Sequence, residues 1–415
     1  MNPKKLLVSL IAFLVIGGTA VGLSLLTPAG LPASVTADLP RTTRLTCLQT
    51  GDVLAHAPGN WTATAVGASD EIASGTGPAL LDGVQGPSVL TADSLAVAGV
   101  YAAGTERTFA PCSPAATSGI ITVAEPGESE LIITNSDAGE AVVDLTLLGP
   151  DGEVTAVGAR GIAVAPGVSR RIALSVLAPV GPVGVAFTAS EGRVAMAAVN
   201  VEGRAARFVA PTTPAQTQVI GGVPPGAADV QLIVSNPREE RAEVTVTALG
   251  ATSSYEPAAT ADLLVEPMSS VAIPIAESLG GEAAAIRVDA TVEVAAAVTV
   301  SGPVGSPATL VAMEPGAELS ATTLGGALQI TNPGMEPVTA QVSADEEATL
   351  TIAPGTTLVQ VLPLSPQQLI TVTADGPVVA SAATSDPTGT IIIPLGAVAD
   401  EPGAAGVIRL DPHLR

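Results

Sequence analysis

The segment Leu131-Ile132-Ile133-Thr134-Asn135 recurs twice along the chain, as Leu232-Ile233-Val234-Ser235-Asn236 and as Leu328-Gln329-Ile330-Thr331-Asn332. The three asparagines lie 101 and then 96 residues apart (236 − 135 and 332 − 236). Solenoid repeats are only about 20 to 45 residues long, so a repeat of this length is a small domain. The segment therefore predicts three related domains in one chain of 415 residues.

Turn-forming residues follow these asparagines, namely Ser136, Pro237 and Pro333. An Asn side chain in such a position commonly bonds its own backbone within the turn. We therefore interpret the three asparagines as turn residues of the fold and not as binding residues.

An alternating strand follows each turn. In the first repeat Val143, Leu145 and Leu147 share one face of the strand, and Asp144 and Thr146 share the other. A period of two with one polar face is typical of a half-buried antiparallel strand. The repeats are therefore predicted to consist of antiparallel strands.

A step of the form apolar-x-Pro comes next, at Pro166, Pro267 and Pro354. It follows the asparagines by 31, 31 and 22 residues (166 − 135, 267 − 236 and 354 − 332). The third repeat has therefore lost nine residues here (31 − 22). We interpret the loss as about one hairpin's worth of strand and turn.

Composition favours the same fold class. Hydrophobic residues make up 47% of the chain but aromatic residues only 2%, so the cores must be aliphatic. The 43 Gly and 35 Pro are typical of many short strands and turns. About seven short strands in roughly 95 residues predict a two-sheet sandwich. The sequence thus predicts an all-β protein with tandem immunoglobulin-like β-sandwich domains after a single N-terminal transmembrane helix.

The region before the first repeat echoes only the end of the repeat unit. Gly104 and Phe109 match Gly203 and Phe208, and each glycine lies five residues before its phenylalanine. We therefore predict a diverged, shorter first domain. The expected segments are a cytoplasmic N-terminus (1–5), a transmembrane helix or signal anchor (6–26), a linker (27–40), the diverged first β domain with a disulfide (41–118), β-sandwich repeat 1 (119–217), repeat 2 (218–318), a shortened repeat 3 (319–400) and a C-terminal tail (401–415).

Residues 6–26 form an uncharged apolar run of 21 residues. At a rise of 1.5 Å per residue a helix of this length spans roughly 30 Å, the thickness of a bilayer core. Lys4 and Lys5 precede it, which predicts a cytoplasmic N-terminus and extracytoplasmic C-terminal domains. We expect an uncleaved anchor in the cell membrane. Secretion after cleavage near Ala37 is the alternative.

Cys47 and Cys112 are the two cysteines of the chain. In an exported protein an even pair is most simply a disulfide. The closed loop of about 65 residues would stabilise the fold by on the order of 4 kcal/mol through loop-closure entropy. A catalytic or metal role is the alternative, but neither cysteine has a histidine or a second cysteine nearby in the sequence.

The formal net charge is −23. Apart from Lys4 and Lys5, the basic residues are 14 arginines against 39 acidic residues. Such a surface repels nucleic acid and anionic lipid, so we expect no nucleic-acid partner. It would attract cations or the basic face of another protein, although solubility is the simpler purpose of the charge.

The sequence contains no phosphate loop, zinc-ligand spacing, nucleophile elbow or helical His-Glu-x-x-His motif. We interpret His56 as a loop residue. Paired carboxylates can catalyse hydrolysis without histidine, so a carboxylate-based hydrolase is the least favoured of three hypotheses. We expect no catalytic residue, metal ligand or cofactor. The acidic clusters are interpreted as solvated surface: Asp70-Glu71, Glu239-Glu240 and Asp345-Glu346-Glu347.

Trp61 is the single tryptophan, between Asn60 and Thr62. A packing role is the simpler interpretation of this residue. Because glycan-binding surfaces usually need exposed aromatic rings, Trp61 is also the candidate ligand contact.

Several steps of the repeat resemble an uncharacterised actinobacterial cell-envelope family, a domain of unknown function with one N-terminal membrane helix and tandem β-rich repeats. The resemblance spans residues 4 to about 400 and implies no catalytic residues. It implies an envelope protein connected with cell-wall polysaccharide assembly. The matching steps are Leu-x-Ile-x-Asn-Pro at 328–333, Val-x-Pro-Gly at 164–167, Val-x-Pro-x-Ser at 265–269 and Gly-x-Val-Ala at 192–195.

The leading functional hypothesis is therefore a non-catalytic, membrane-anchored extracytoplasmic scaffold or accessory protein of the cell envelope. The alternative is a binding module for wall glycan or for a basic protein partner. The two differ in whether a glycan or protein ligand binds to the acidic surface.

Overall fold

A computed structural model describes residues 42–397 apart from short gaps at 95, 104–106, 179, 203–204, 302–307, 366 and 387–388. The predicted transmembrane helix, the linker and the C-terminal tail lie outside the described residues. Within this part of the chain, none of the helices is both long and apolar enough to cross a bilayer. The described residues are built almost entirely of β-strands, as predicted.

The first module is a single antiparallel sheet. Its strands run in the order β1-β4-β2-β5-β6, and β3 pairs with β2. β2 is long enough to pair with β5 along its first half and with β4 along its second half. The strands are β1 Thr43–Cys47, β2 Gly51–Ala65, β3 Glu71–Val84, β4 Ser88–Ala92, β5 Val97–Ala103 and β6 Arg107–Pro111.

The second module has two sheets. One has the order β10-β9-β13-β7 with β11 also on β9, and the other has the order β12-β8-β14-β15. The strands are β7 Ser118–Val123, β8 Ser129–Thr134, β9 Ala141–Gly149, β10 Gly152–Val154, β11 Ile162–Val164, β12 Ser169–Ala173, β13 Val183–Glu191, β14 Ala195–Glu202 and β15 Ala205–Val209.

The alternation predicted for β9 is confirmed. Val143, Leu145 and Leu147 are buried, whereas Asp144 and Thr146 are partly exposed. The buried face packs against β8 of the other sheet in one aliphatic core. Two short helical segments, Pro126–Glu128 and Leu174–Leu177, lie at the ends of strands.

The third module repeats this arrangement, with one strand shared by both sheets. The first half of β22 pairs with β16 and β18, and its second half pairs with β17 and β23. The elements are β16 Ala215–Val223, β17 Asp229–Asn236, β18 Ala242–Leu249, β19 Ser254–Tyr255, a 3-10 turn Ala258–Thr260, β20 Leu263–Val265, β21 Ser269–Pro274, a helical turn Ala276–Leu279, β22 Ala284–Ser301 and β23 Ala308–Val311.

The fourth module has the same design, with β29 as the shared strand. One sheet has the order β27-β26-β29-β24-β31, and the other joins β28, β25, β29 and β30. The strands are β24 Gly316–Thr323, β25 Gly326–Asn332, β26 Val338–Ser343, β27 Glu347–Ile352, β28 Thr356–Leu362, β29 Gln368–Asp386, β30 Gly389–Pro394 and β31 Gly396–Ala397.

The third repeat of the sequence is the fourth module of the structure, and its nine-residue loss lies at strand β27. In the second module β10 and β11 both pair with β9 and are separated by residues 155–161. The third module places β19 and β20 on β18 in the same way. In the fourth module one continuous strand, β27, pairs with β26. The missing element is therefore the segment between two short edge strands, and the expectation of a lost hairpin was wrong.

Apolar contacts join the four modules in a closed cycle. The described residues, 42–397, belong to one compact unit, within which each module contacts the next and the fourth also contacts the first. The apolar groups between modules are Leu48, Ala110, Ile132 and Phe208 (first and second), Ile120, Leu148 and Ala295 (second and third), Val219, Leu249 and Val379 (third and fourth), and Leu54 and Tyr101 against Leu319 and its neighbours (first and fourth).

The last hairpin strand of each module contributes to this cycle. β6 contacts β15 and β30, and β23 contacts the same two strands. Phe109 lies in β6 and Phe208 in β15, so the echo between residues 104–109 and 203–208 marks structurally comparable strands. The repeat predicts domains in tandem, and the structure adds a contact between the first and the fourth module.

Candidate functional site

The repeated asparagines are fully buried and bond the backbone in a common pattern. Nδ2 of Asn135 donates to the carbonyl of Gly139 at 2.7 Å and to that of Val164 at 2.9 Å. Its Oδ1 accepts the backbone N–H of Asp137 at 3.0 Å. Because Asn135 directly follows β8 and Val164 lies in β11, this side chain links the two sheets of the second module.

The other two asparagines make equivalent bonds. Asn236 Nδ2 donates to the carbonyls of Glu240 at 2.7 Å and Val265 at 3.2 Å. Asn332 Nδ2 donates to the carbonyls of Glu336 at 2.7 Å and Ile352 at 3.2 Å. The interpretation of these residues as turn formers is confirmed. The link between sheets was not predicted.

The turn that Asn135 fixes also contacts the first module. Nη1 of Arg44 donates to Oδ1 of Asp137 at 2.7 Å, and Nη2 donates to the carbonyl of Ser136. Thr46 Oγ1 donates to Ser136 Oγ at 3.1 Å. From the second module, Arg193 Nε and Nη2 donate to Oδ2 of Asp137 at 3.1 and 3.0 Å. One carboxylate thus binds two guanidinium groups, one from each module.

A cleft of about 260 Å³ opens beside this carboxylate, lined by Arg44, Asp137, Arg193 and five neighbours. Two guanidinium groups and one carboxylate give it a local charge of +1 in a chain of net charge −23. Asp137 is 17% exposed and Arg193 35% exposed, so solvent screens the ion pairs only in part. The arrangement can fix the relative position of two modules, and its unused N–H groups can donate to a small anion.

The turn of the fourth module meets its predecessor in a related way. Arg287 of the third module donates through Nη1 to the carbonyl of Pro333 at 3.4 Å. Nε of the same guanidinium donates to Asp289 Oδ2 at 2.7 Å, which raises the pKa of Arg287. Hydrogen bonds from Arg287 and from Thr217 lower the pKa of Asp289 against the opposing effect of burial. In two of the three repeats, the turn after the asparagine therefore contacts the preceding module.

The predicted disulfide between Cys47 and Cys112 is present. It joins the end of β1 to the residue after β6, and both cysteines lie in the core of the first module. Their function is thus covalent closure of the single sheet. Within the described residues, no group of three or more His, Cys, Asp or Glu side chains is arranged to hold a metal ion.

Trp61 is 5% exposed and belongs to the core of the first module. It lies directly opposite Gly75 on β3, and a Cβ at Gly75 would come within 2.9 Å of the indole ring. The ring therefore covers a glycine of the neighbouring strand and does not offer a stacking surface to solvent. Its Nε1 has no hydrogen-bond partner within the described structure.

His56 lies within β2, so its interpretation as a loop residue was wrong. Pro58, two residues further on, would ordinarily disrupt a strand, but the β2–β3 pairing accommodates it where the register shifts between Ala57 and Asn60. Burial lowers the pKa of His56, and its Nδ1 has no hydrogen-bond partner within the described structure. Leu54, on the same side of β2, packs into the core of the fourth module, and this places His56 at the closing contact.

The acidic clusters are exposed in the structure, which agrees with their interpretation as solvated surface. Asp70-Glu71 stands at the start of β3, and Glu239-Glu240 follows the Asn236 turn. Asp345-Glu346-Glu347 connects β26 to β27. Glu282, outside these clusters, has a different environment. Its Oε1 accepts a 2.7 Å hydrogen bond from the Tyr255 hydroxyl, and burial together with this bond raises the pKa of Tyr255.

Sequence reasoning missed the cluster of Arg44, Asp137 and Arg193. Asp137 lies 93 positions from Arg44 and 56 positions from Arg193 in the chain, and isolated Arg and Asp residues look like ordinary surface. One signal was available, because Asp137 stands two residues after the repeated Asn135, in a turn whose geometry the repeat defines.

Four β modules, three of which repeat a buried asparagine bonded to the backbone, define a multi-module all-β protein. The chain belongs to DUF5719, a family of unknown function, whose family model matches residues 110–358. The match confirms the resemblance to a domain of unknown function. A search of curated proteins gives no match. A structure of infectious bursal disease virus, Gx strain, is 12% identical over 91% of this chain and 90% of its own, with a TM-score of 0.12, and this likeness is too low to carry an argument.

Proposed function

We propose that this protein is a non-catalytic, membrane-anchored scaffold or accessory protein of the cell envelope. The observation that supports the proposal is the closed cycle of apolar contacts among the four modules. Modules within a chain usually meet through small polar interfaces and move relative to one another, unless the interface is large and apolar. Here each junction has its own apolar group, so the modules are held as one body that can position a partner.

The proposal includes the finer predictions about fold and location. Residues 6–26 would anchor the protein in the membrane, and the modules, of immunoglobulin-like type, would stand outside the cytoplasm. Cleavage near Ala37 and secretion is the alternative. Membrane fractionation of cells expressing a C-terminally tagged chain tests the two: an anchored, full-length protein supports the anchor, and a shortened protein in the medium contradicts it.

A second candidate function is the binding of a basic protein partner. Residues 288–408 contain no Lys, Arg or His, so the fourth module carries only acidic charge. This long acidic stretch favours a basic protein over a wall glycan, because the buried ring of Trp61 gives no platform for a sugar. A carboxylate-based hydrolase is the least favoured function.

In-cell crosslinking followed by purification of the tagged chain tests the scaffold proposal directly. We expect specific envelope proteins to copurify, including proteins of cell-wall polysaccharide assembly. A chain that lacks residues 6–26 but is exported by a cleavable signal serves as the control for recovery that depends only on the membrane. Recovery of no protein partner from crosslinked envelopes would contradict the proposal.

A further inference from the structure

Among the strands that the structure describes, the fourth module has an edge strand with one side unpaired. β27 is the terminal strand of its sheet and pairs with β26 over Glu347–Ile352. The opposite edge of the same sheet is formed by β24 and β31. An edge strand presents a row of backbone N–H and C=O groups that can pair with another extended chain.

Corresponding edges in the second and third modules are interrupted. There, β10 and β11 contribute three residues each, and β19 and β20 two and three residues. Short, broken edge strands are a common protection against strand addition. The nine-residue loss removes this interruption in the fourth module and leaves a continuous edge of six residues.

The composition of β27 fits a pairing surface. The strand is Glu-Ala-Thr-Leu-Thr-Ile, without the Pro or Lys that usually protects an edge. Glu347, Thr349 and Thr351 are exposed, and Ala348 and Leu350 are half-buried against the module core. The strand is thus held in register by its inner face while its free edge remains regular.

Charge around this edge decides the kind of partner. Asp345, Glu346 and Glu347 are exposed at the start of β27. The seven acidic residues of 316–397 have no basic residue in the same module to balance them. Two copies of this edge would bring two modules of uniformly negative charge together, and this repulsion disfavours their association. A second copy of this chain is therefore a poor occupant, and a segment with Lys or Arg beside its apolar positions is a good one.

We propose that β27 is a docking edge for an extended basic segment of a partner protein. The segment adds as a strand beside β27 through backbone hydrogen bonds, and its Lys or Arg side chains lie near Glu346 and Glu347. Strand addition of this type obtains affinity from the backbone and specificity from side chains. This inference deepens the proposed scaffold function, on which it rests, by naming the surface and the chemistry of the partner.

The test uses the full chain and a synthetic peptide, Lys-Val-Thr-Val-Thr-Val-Lys. Binding is measured by fluorescence anisotropy of the labelled peptide, and the site is located by amide hydrogen exchange. We expect the peptide to slow exchange within Glu347–Ile352. The same peptide with Glu in place of both Lys should bind at least about tenfold more weakly, because the electrostatic complement is lost.

Paired charge reversals distinguish a specific edge from general acidity. We expect Glu346→Lys/Glu347→Lys to weaken peptide binding about tenfold. The control Glu256→Lys/Glu277→Lys makes the same net charge change at exposed positions of the third module and should leave binding unchanged. Equal loss in both variants, protection away from β27, or no binding of the Lys peptide would each overturn the proposal. All four substitutions are at exposed sites, and a thermal melt verifies folding.

The basic C-terminal tail of the chain is the competing occupant, with Arg409, His413 and Arg415. If β27 amides are already protected in the free chain and Arg409→Glu/Arg415→Glu exposes them, the edge is occupied from within and the partner proposal is overturned. The scaffold function has a separate readout. If envelope partners are recovered by crosslinking but β27 binds no peptide, the scaffold proposal stands and the docking proposal is overturned. If the peptide binds β27 but no envelope partner is recovered, the scaffold proposal is contradicted and the peptide-binding edge remains.

Discussion

The first module differs from the other three in how its core is closed. The later modules each pack two sheets on one aliphatic core and join those sheets through a buried asparagine. The first module has one sheet, a disulfide and a smaller core. Part of its apolar surface is covered by neighbours, since Leu54 and Tyr101 join the core of the fourth module and Leu48 and Ala110 pack on the second. Each two-sheet module is thus stabilised by its own core and a buried asparagine. The single sheet is stabilised by a disulfide and by apolar contacts with the second and fourth modules.

The largest expected effect breaks the internal link of a later module. Asn236→Asp removes the donors to the carbonyls of Glu240 and Val265 and places a carboxylate against them without a counter-charge. We expect the free energy of unfolding to fall by on the order of 5 kcal/mol, as for other uncompensated buried charges. Urea denaturation measures the change.

The control for this variant is Asn60→Asp in the first module. Asn60 is exposed and its Nδ2 donates to Asp93 Oδ2 at 2.8 Å, so solvent screens the new charge. Its effect should stay below about 1 kcal/mol. A small effect of Asn236→Asp, comparable to that of the control, would show that the buried asparagine does not join the sheets.

The next prediction removes the covalent closure of the first module. Cys47→Ser with Cys112→Ser opens a loop whose ends are 65 residues apart. We expect a loss of about 2 to 4 kcal/mol in unfolding free energy, because the unfolded chain regains loop entropy. Hydrogen exchange should accelerate in β1 to β6 and remain unchanged in β17 and β18. Equal acceleration in the third module would contradict the view that the disulfide acts on the first sheet alone.

Local features of the fold could be predicted from the sequence. The turn role of the repeated asparagines follows from the residue type and its Ser or Pro neighbour, and the burial of Val143, Leu145 and Leu147 follows from their period of two. The cysteine pairing followed from an even count of two. These properties depend on a few adjacent residues or on simple counting.

Long-range features could not be predicted. The closing contact includes a hydrogen bond from Thr322 Oγ1 to the carbonyl of Ala55 at 2.7 Å, across 267 residues of sequence. Neither residue differs from an ordinary strand residue, so no local pattern indicates the pairing. The same reason applies to the carboxylate of Asp137, which binds Arg44 of β1 in the first module and Arg193 of the β13–β14 connection in the second. His56 was misjudged because Pro58 breaks ideal strand chemistry and a register shift absorbs it.

A smaller effect is expected where the first module meets the second. Asp137→Asn keeps the size of the side chain but removes the charge that binds Arg44 and Arg193. We expect a loss of about 1 to 2 kcal/mol, because the hydrogen bonds are charge-assisted and partly buried. Asp151→Asn, at an exposed turn, is the matched control and should change the unfolding free energy by less than about 0.5 kcal/mol. In 1 M NaCl the Debye length falls to about 3 Å, so the difference in unfolding free energy between the parent chain and Asp137→Asn should become smaller.

The smallest expected effect concerns the contact between the first and fourth modules, and it depends on pH. Burial lowers the pKa of His56 below its ordinary value of 6.5, so the unfolded chain binds this proton more readily than the folded chain. The stability associated with the neutral ring is complete above pH 6.5 and declines as the pH falls from 6.5 towards the folded pKa. His56→Leu removes this titration. Unfolding free energies at pH 7.5 and pH 5 should therefore differ more in the parent chain than in the variant, while the carboxylates contribute equally to both. An identical pH dependence in the two chains would show that the ring of His56 is solvated in the folded state. It would contradict the burial of His56 at the contact between the first and fourth modules.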